Sequence, residues 1–377
     1  MKILFLGGGT GGHFYPIIAV AESVRKIALE RKIIAPQTYY MAPTKYNPRA
    51  LFDNNIEYIH IPAGKVRRYF SLLNITDAFK TLSGIVKAVW KMFTVYPDVI
   101  FSKGGYASFP PLVAARILHI PVIVHESDSK PGRVNAWSAK FAEKVAVSYP
   151  EAAKYFKTDQ TKIAHTGNPI RKDILTPLSN GAYEYFGLEK NVPTVVILGG
   201  SQGAQLINDT IITALPEMLE KYQVIHQTGR ANIEEIKQTS AVVLREHKHA
   251  SRYHPFDYLN ELMLRMSAGV ANVIVTRAGS TIFEIAAWGI PSIIIPLSPE
   301  VSHDQTTNAY AYGRTGAGSV IQENNLSAHV LLAEINRICE NSGIADTMRA
   351  QAKLFAREDS AGLIGSALLD IALSHEK

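Results

Sequence analysis

The sequence contains one cysteine and no apolar run long enough to cross a membrane. A lone cysteine, Cys339, cannot form a disulfide within the chain, which favours a reducing compartment; its helical setting predicts a buried apolar side chain. A membrane-spanning helix needs about 20 consecutive apolar residues. The opening MKILFLGGG is a strand pattern that runs into glycine, so we expect no signal peptide. With 377 residues of globular composition, the chain is long enough for two domains.

Motifs for several nucleotide-binding and metal-dependent chemistries are also absent. The sequence has no G-x-x-x-x-G-K-[ST], which excludes a P-loop. No group of histidine, cysteine and acidic residues has metal-ligand spacing, so we expect neither a metal nor another cofactor. Gly7, Gly9 and Gly12 fit the dinucleotide pattern G-x-G-x-x-G, which also requires an acidic residue after the next strand. The next predicted strand, Thr38–Met41, is followed by Ala-Pro-Thr, which argues against a dinucleotide site.

What the sequence does contain is a glycine-rich stretch, GGGTGGH, from Gly7 to His13. It follows an apolar strand, Ile3–Leu6, and precedes a helical pattern that begins near Pro16. Glycines allow a tight turn and a close backbone approach to a ligand, and the start of a helix presents unpaired N–H groups. The stretch therefore suits an anion or a sugar, and His13 at its end can act as a base near neutral pH.

The first half alternates strands and helices, which predicts a parallel sheet covered on both faces. Ligands of such sheets bind at the carboxyl ends of the strands. Polar or glycine-rich loops follow several of the predicted strands, so we expect these loops to lie on one edge of the sheet. The strands predicted after Thr38–Met41 are Ile56–Ile61, Asp98–Ser102, Pro121–His125 and Val145–Ser148.

Charge is divided unevenly along the chain. Residues 1–168 carry 22 Lys and Arg against 11 Asp and Glu, whereas residues 169–377 carry 17 against 22. A basic first half suggests an anionic partner, and nucleic acid and anionic membrane both qualify. Within it, Val66–Ile75 mixes arginines with aromatics and leucines, as in a surface that lies on an anionic bilayer. The helical pattern Phe79–Phe93 is expected to pack its apolar face on the sheet.

The hydrophobic period is lost at His165–Asn180, where we place a domain boundary. The opening motif then recurs, because Thr194–Leu198 is a strand and Gly199–Gly203 opens a helix. The chain is thus predicted to be an α/β protein of two doubly wound Rossmann-like domains, residues 1–168 and 169–355, that face each other across a cleft. The further strands of the second domain are expected at Gln223–Gln227, Arg252–Pro255, Ala271–Thr276 and Ser292–Pro296, and the last helical pattern at Asp359–Leu373.

The second half has loops suited to a nucleotide sugar. Gly199–Gly203 at a helix start can hold a diphosphate through backbone N–H groups, with Ser201 as a further donor and Arg171 as a neutralising charge. Glu284 is a carboxylate able to accept from the two hydroxyls of a ribose, and Gln305 can bind sugar hydroxyls. Each residue type also has an ordinary structural role, since Ser201 can cap its helix and a helical glutamate often lies on a solvated face.

Seven segments, in order along nearly the whole chain, resemble those of one family. The sequence resembles the MurG family of peptidoglycan glycosyltransferases, which have the GT-B fold. The segments are GGGTGGHFYP, SKGGYASFP, HESDSKPGRVN, GNPIR, GGSQGAQLIN, TRAGSTIFEIAAWGIPSIIIP and HDQTTNA. The resemblance implies inverting transfer of N-acetylglucosamine from UDP-GlcNAc to the MurNAc 4-hydroxyl of lipid I, forming lipid II. It also implies a peripheral protein at the cytoplasmic face of the cell membrane, with an anionic membrane surface rather than nucleic acid as partner.

The resemblance further implies roles for the loop residues and for the closing helix, 356–377, which would cross back onto the first domain. His13 would be the general base on the acceptor hydroxyl. The residues expected to bind the donor are Thr10, Gly11, Gly12, Asp128, Arg171, Ser201, Gln202, Phe256, Asp257, Ser280, Thr281, Ile282, Glu284 and Gln305. Those expected to face lipid I are Gly104, Gly105, Tyr106 and Glu126.

Other functions stay open from the residues alone. One is another GT-B glycosyltransferase with a lipid acceptor, such as a diacylglycerol glycosyltransferase, which the loops around Gly104 and His125 would distinguish. Another is a UDP-GlcNAc epimerase of the same architecture, which acts without an acceptor and needs several acid–base groups in the cleft. A non-catalytic nucleotide-sugar sensor would leave His13 without a purpose.

Overall fold

The structure is a computed structural model, and it describes residues 1–65, 73–199, 204–298 and 303–374. The chain divides into two compact units. Unit 1 comprises Met1–Arg171 and Arg357–Lys377, and unit 2 comprises Lys172–Ala356. The first boundary falls inside the stretch His165–Asn180, where the hydrophobic period of the sequence is lost.

Unit 1 is built on one parallel sheet. Its strands are β1 (Lys2–Leu6), β2 (Gln37–Ala42), β3 (Ile56–His60), β4 (Val99–Ser102), β5 (Val122–Glu126), β6 (Lys144–Val147) and β7 (Ile163–His165). They lie in the order β3-β2-β1-β4-β5-β6-β7, with Ile3 of β1 opposite Thr38 of β2 and Val99 of β4. The order reverses between β1 and β4, and ligands of open α/β sheets bind beyond the carboxyl ends of the strands at such a point.

Unit 2 repeats this arrangement with six parallel strands. They are β8 (Thr194–Leu198), β9 (Gln223–Gln227), β10 (Tyr253–Phe256), β11 (Ala271–Thr276), β12 (Ser292–Ile294) and β13 (Gly318–Val320). Their order is β10-β9-β8-β11-β12-β13, so the reversal lies between β8 and β11. The two doubly wound parallel sheets confirm the predicted fold class.

The helices connect the strands and cover both sheets. Their bounds are α1 (Gly11–Glu30), α2 (Pro48–Asp53), α3 (Leu73–Val95), α4 (Phe109–Ile117), α5 (Arg133–Ser138), α6 (Ala182–Phe186), α7 (Gln205–Lys221), α8 (Ile233–Val243), α9 (Glu261–Val270), α10 (Thr281–Trp288), α11 (His303–Gly313), α12 (Ala328–Cys339), α13 (Ser342–Phe355) and α14 (Ser360–Ser374). Short 3₁₀ turns lie between them, for example at Tyr106–Ser108 and Lys172–Leu175.

Alternate residues of the unit 1 strands enter two cores, one on each face of the sheet. Ile3 and Phe5 of β1 pack with α1 and α14, whereas Leu4 and Leu6 pack with α3 and α4. Helix α14 approaches α1 closely because Gly365 has no side chain, and a Cβ there would lie 3.3 Å from an α1 backbone nitrogen. The closing helix therefore belongs to the first unit, although it follows the second unit in the chain.

The sheet of unit 2 is also covered on both faces. Val195 and Ile197 of β8 pack with α7, α12 and α13, while Ile294 of β12 packs with α10 and α11. Cys339, at the end of α12, is partly buried against the first of these cores. Burial raises the pKa of its thiol to about 11, which fits the expected apolar role of this cysteine.

Most predicted strands lie within one residue of the observed ones, and the differences have simple causes. Strands β7 and β13 were not predicted, because three residues at the edge of a sheet are too few to show a period. Helix α1 begins at Gly11 instead of near Pro16. The N–H groups of His13 and Phe14 both donate to the carbonyl of Thr10 at 3.2 Å, so the second pair of glycines is helical and His13 lies in the first turn.

The expected packing of the helix at Phe79–Phe93 is wrong. Ala88 and Met92 of α3 face the sheet, and a Cβ on Gly84 would lie 2.0 Å from the carbonyl oxygen of Pro62. Only a face of small residues fits so close to the backbone, and the large apolar side chains are left in solvent. Those that are 60–69% exposed are Ile75, Phe79, Leu82, Val86, Trp90 and Phe93.

The basic aromatic segment that precedes this helix is described only in part, because residues 66–72 lie outside the described residues. In the part of the chain that the structure does describe, no helix combines the length and the apolar character needed to span a bilayer.

Candidate active site

The glycine stretch after β1 forms a tight loop. Gly8 and Gly9 have φ angles of 139° and 90°, which side-chain-bearing residues rarely adopt. Two tyrosines pack against the loop. The Tyr40 hydroxyl donates to Gly7 O at 3.1 Å, and a Cβ on Gly9 would lie 3.2 Å from the ring of Tyr106. The loop is therefore fixed beside Tyr106, one of the residues expected to face the acceptor.

His13 is half-buried in the first turn of α1, and its ring orientation is defined. Its Nδ1 lies 3.3 Å from Gly8 O. Because a carbonyl oxygen can only accept, Nδ1 carries the proton and the lone pair is on Nε2. Burial lowers the pKa of His13, as does the nearby Lys103 ammonium, while Asp128 and the Gly8 carbonyl oppose the shift. The imidazole is therefore neutral near pH 7, as a general base must be.

The loop after β4 places two glycines close to His13. Gly104 and Gly105 have φ angles of 75° and 77°. A Cβ on Gly105 would lie 3.1 Å from His13 Nδ1, and one on Gly104 would lie 2.2 Å from Asn135 Oδ1. The close approach of this loop to the imidazole thus depends on the absence of side chains.

Glu126 ends β5 and holds the loop that follows it. Its Oε1 accepts from Asp128 N at 2.9 Å, and its Oε2 accepts from Gly132 N at 3.0 Å and from Asn135 Nδ2 at 2.8 Å. Burial and the Asp128 carboxylate raise the pKa of Glu126 to about 7, and the three N–H donors oppose that shift. The side chain is 3% exposed. Glu126 therefore positions a loop, and the half-buried Asp128 is the carboxylate whose charge raises the pKa of His13.

The structure adds a buried group that the sequence analysis did not single out, Lys103. Its side chain is 1% exposed. Nζ donates to His125 Nδ1 at 2.7 Å, to Ser127 Oγ at 2.5 Å and to Asn168 Oδ1 at 3.1 Å. On the other side of the ring, His125 Nε2 donates to Gly167 O at 2.9 Å. The available sequence signal was a lysine placed directly after a buried strand.

Arg171 is the last residue of the first segment of unit 1. Its guanidinium carbon lies 4.3 Å from the centre of the Tyr15 ring, within cation–π distance. Tyr15 in turn packs edge-on against Phe14 and Tyr46, and a Cβ on Gly11 would lie 2.8 Å from the Tyr46 hydroxyl. These contacts keep the charge of Arg171 close to the glycine loop of unit 1.

In unit 2 the loops of interest follow β8, β10, β11 and β12, whose carboxyl ends lie on one edge because the strands are parallel. The second glycine loop is described only at its ends. Gly199 N donates to Gln227 O at 3.4 Å, and Ala204 precedes α7 as its N-cap. Ser201 and Gln202 lie outside the described residues, so their role in binding a diphosphate stays a prediction.

The end of β10 has a fixed backbone. Thr228 donates to Phe256 O through both its N–H, at 2.9 Å, and its hydroxyl, at 3.1 Å. The Phe256 ring packs edge-on against Phe186, with ring centres 5.5 Å apart, and Asp257 follows exposed. This geometry holds the peptide groups around Phe256 and Asp257 in place, as recognition of a base edge by main-chain atoms requires.

The loop after β11 leads into α10, with Ser280 at its N-cap. Glu284 lies in the first turn of this helix. Ser280, Thr281 and Glu284 are partly exposed. Ile282 is fully buried in the core of unit 2, so its side chain packs internally and only its backbone can face a ligand.

Gln305, in the first turn of α11, is tied to the loop after β12. Its Oε1 accepts from Leu297 N at 3.2 Å, so the group it can offer a ligand is the amide Nε2, a donor. The loop is also held by an ion pair of 2.7 Å between Arg277 and Glu323, whose side chains are only 13% and 15% exposed. Glu323 Oε2 accepts from Ser298 N at 2.8 Å. No local pattern in the sequence indicates this ion pair, which holds the loop that Gln305 contacts.

The structure brings the described site residues together in two groups, one in each unit. In unit 1, Thr10, Gly11, Gly12, Gly104, Gly105, Tyr106, Glu126, Asp128 and Arg171 lie at or after the ends of strands β1, β4, β5 and β7. In unit 2, Phe256, Asp257, Ser280, Thr281, Glu284 and Gln305 lie at the carboxyl edge of the sheet. The first group contains a neutral imidazole suited to proton transfer. The second offers backbone N–H groups, an amide and a carboxylate, which suit a nucleotide sugar.

Comparisons with known proteins agree with this arrangement. Residues 3–147 match the glycosyltransferase family 28 N-terminal domain, and residues 194–364 match the glycosyltransferase family 28 C-terminal domain. A UDP-N-acetylglucosamine–N-acetylmuramyl-(pentapeptide) pyrophosphoryl-undecaprenol N-acetylglucosamine transferase of Clostridium perfringens is 34% identical over 342 residues, 90% of each chain. A relative with the same name, numbered 3, from Bacillus thuringiensis is 33% identical, over 92% of this chain and 94% of its own.

Solved structures have the same fold at lower identity. The crystal structure of Acinetobacter baumannii MurG has a TM-score of 0.72 and 24% identity, with 98% of this chain and 99% of that chain covered. A UDP-GlcNAc 2-epimerase from Neisseria meningitidis has a TM-score of 0.71 at 13% identity, with 98% and 100% covered. Transferases and epimerases therefore share this architecture. The relatives with the higher sequence identity are N-acetylglucosamine transferases. The chain belongs to glycosyltransferase family 28, within it to the MurG family of N-acetylglucosamine transferases, and it is a hexosyltransferase.

Proposed function

We propose that this chain transfers N-acetylglucosamine from UDP-GlcNAc to the 4-hydroxyl of the MurNAc sugar in lipid I, forming lipid II, with inversion at the anomeric carbon. The names of the curated relatives support this choice of donor and acceptor. The observation that carries the proposal is the state of His13. Its Nδ1–H donates to Gly8 O, its Nε2 holds a lone pair, and its pKa is lowered by burial, so it can accept a proton near neutral pH.

The proposed reaction is a single displacement. Nε2 of His13 takes the proton of the acceptor hydroxyl while the hydroxyl oxygen attacks the anomeric carbon from the face opposite UDP. The bond between the sugar and the diphosphate breaks, and its electrons leave with UDP. Arg171 and the loop Gly199–Gly203 would stabilise the charge of that leaving group. Glu284 would hold the ribose and Gln305 the N-acetylglucosamine, each by hydrogen bonds to hydroxyls or the amide of the ligand.

The experiment for this proposal is a turnover assay with radiolabelled UDP-GlcNAc and a soluble lipid I analogue, with the acceptor omitted from the control. Label that moves to the acceptor only when the acceptor is present supports the transferase. UDP release or sugar isomerisation in the control contradicts it and favours an epimerase. Transfer to diacylglycerol but not to the lipid I analogue contradicts the choice of acceptor and keeps the GT-B glycosyltransferase.

The proposed location is the anionic surface of the cytoplasmic membrane leaflet, where the lipid acceptor would be found. Its support is the apolar stripe of α3, defined by the exposed side chains Ile75, Phe79, Leu82, Val86, Trp90 and Phe93. Lys80, Lys87 and Lys91 are exposed on the same helix. An amphipathic helix with large apolar side chains and lysines binds an anionic bilayer by burying the first and pairing the second with lipid headgroups.

Vesicle binding tests the role of the apolar stripe. Trp90 is 67% exposed, so its fluorescence should shift to shorter wavelength when phosphatidylglycerol vesicles are added. The double variant Phe79→Ser, Phe93→Ser should bind about a hundredfold or more weakly, because each buried aromatic contributes about 1.5–3 kcal/mol. The matched control is Leu29→Ser, Phe52→Ser, which removes side chains 80% and 81% exposed on α1 and α2. Equal loss in both variants would remove the case for a specific docking face.

A further inference from the structure

We propose that Lys103 is a positioning residue for the His13 base: its buried ammonium joins three chain segments, one of which carries Gly105 against the imidazole, and it opposes a second positive charge at His13. The proposal concerns the catalytic group and so rests on the proposed function. Its direct readout is the protonation of one imidazole without any substrate, so it can fail or succeed independently of the transfer reaction.

The Lys103 ammonium has a full set of hydrogen-bond partners. An ammonium group has three N–H donors, and all three have an acceptor here: His125 Nδ1, Ser127 Oγ and Asn168 Oδ1. His125 is fixed as an acceptor at Nδ1, because its Nε2 donates to Gly167 O at 2.9 Å. The three partners are neutral, so the cation is held by hydrogen bonds and not by a direct carboxylate contact.

The hydrogen bonds of Lys103 join three segments of unit 1. Lys103 follows β4, His125 and Ser127 lie at and after the end of β5, and Asn168 belongs to the segment that leads out of unit 1. Gly167 O also accepts from Ser360 Oγ at 2.9 Å, which brings the start of α14 into the same network. One buried side chain thus fixes the loops after two central strands relative to the end of the unit.

Lys103 lies close to the two loops that contact His13. The Lys103 N–H donates to Leu6 O at 2.8 Å, directly before the glycine loop. Gly7 lies close to both residues, since a Cβ on it would lie 3.2 Å from His13 O and 3.3 Å from Lys103 Cβ. Two residues after Lys103, Gly105 lies against the His13 ring. Because Lys103 is buried, water screens its charge poorly. A nearby positive charge of this kind disfavours protonation of His13.

The charged groups around this pair act in both directions. The ammonium of Lys103 lowers the pKa of His13, whereas the carboxylate of Asp128 raises it. Burial lowers the pKa of Lys103 itself to about 7, while Glu126 and Asp128 oppose that shift. His125 has its pKa lowered well below its usual range by burial and by Lys103, so it stays neutral. Below neutral pH, Lys103 is therefore the cation that keeps a proton off His13.

The test is an NMR titration of the His13 imidazole, between about pH 5 and 9, in the substrate-free protein labelled at histidine. Lys103→Met should raise the pKa of His13 by on the order of one unit, because a buried like charge is removed. In the lipid I assay, the acidic limb of the kcat/KM profile should move to higher pH by the same amount. Loss of His13 signal in His13→Ala assigns the resonance.

Two further variants keep the proposal falsifiable if Lys103→Met does not fold. Asn168→Asp is nearly isosteric and retains the lysine, but places a carboxylate next to Nζ; it should also raise the pKa of His13. Ser127→Ala removes one hydrogen-bond acceptor of Lys103 without changing any charge, and it should leave the pKa of His13 unchanged. An unshifted His13 in Lys103→Met, or in Asn168→Asp, overturns the proposal and leaves Lys103 a structural brace only. A shifted His13 in a protein that transfers no sugar overturns the proposed function instead.

Discussion

The two sheets have the same architecture, yet their carboxyl edges differ in chemistry. At the edge of unit 1, the buried or half-buried side chains Lys103, His125, Glu126 and His13 are all titratable, and all have shifted pKa values. At the edge of unit 2, the described loops are held by neutral hydrogen bonds, such as those of Thr228 to Phe256 O, and by the ion pair of Arg277 with Glu323.

The difference indicates that two units of the same fold can have different tasks in a transferase. A group that must gain and lose a proton needs a low-dielectric setting with nearby charges, because these shift a pKa. A site that holds a nucleotide sugar needs fixed donors and acceptors and gains little from titration. The unit 1 edge has the buried charges that suit proton transfer, and the unit 2 edge has the fixed donors and acceptors that suit a nucleotide sugar.

The largest expected effect comes from His13. In His13→Ala, turnover should fall by about two to four orders of magnitude, the usual contribution of a general base, while the affinity for UDP-GlcNAc is kept. Turnover is measured with saturating donor and a lipid I analogue, and donor affinity by calorimetry. Loss of donor affinity with little change in turnover would move His13 from catalysis to binding and remove the division between the units.

An intermediate effect is expected from Glu284, on the unit 2 side. In Glu284→Ala the KM for UDP-GlcNAc should rise about tenfold to a hundredfold, since hydrogen bonds to a charged group contribute about 1.5–3 kcal/mol. The value of kcat at saturating donor should change little, because the proton-transfer group is untouched. The same variant assayed with rising acceptor concentration serves as the control. A fall in kcat with an unchanged KM would place Glu284 in the reaction itself.

The smallest effect is a stability difference between two glycines in equivalent loops. Gly104 has a φ of 75°, and a Cβ on it would overlap Asn135, whereas a Cβ on Gly279 meets nothing within 4 Å. Gly104→Ala should lower the free energy of unfolding by about 1–3 kcal/mol. Gly279→Ala, the matched control, should change it by no more than about 0.5 kcal/mol. Denaturant titrations compare the two, and equal values would mean that the unit 1 loop is not tightly packed around His13.

Much of the fold could be predicted from the sequence because its signals are local. Apolar runs such as Thr194–Leu198 and Ala271–Thr276 are strands with exactly the expected bounds. Parallel strands bring their carboxyl ends to one edge, so the loops with His13 and Gly104 had to lie near each other. Strand β13 and the start of α1 were missed, since short edge strands have no period and glycine pairs give no helix signal.

The packing of individual side chains was harder to predict. Phe79–Phe93 has the spacing of a covering helix, but Gly84 and Ala88 face the sheet because only small residues fit against the backbone of Pro62. Ile282 fills a core and Glu126 holds a loop, and no periodic pattern in the sequence indicates either contact. Pro62 lies far from Gly84 in the sequence, as Ala352 does from Ile282, whereas the partners of Glu126 are two to nine residues away.

The sequence by itself determined the two doubly wound sheets, the glycine loops after their first strands and the position of a histidine beside one of them. These follow from local periodicity and from the geometry of parallel strands. Only the tertiary structure decided which groups are buried around that histidine and which face of α3 meets solvent. It also decided that the Glu126 carboxylate is bound by N–H groups of its own loop. Burial, and with it the shift of a pKa, depends on atoms that folding brings together from distant parts of the chain.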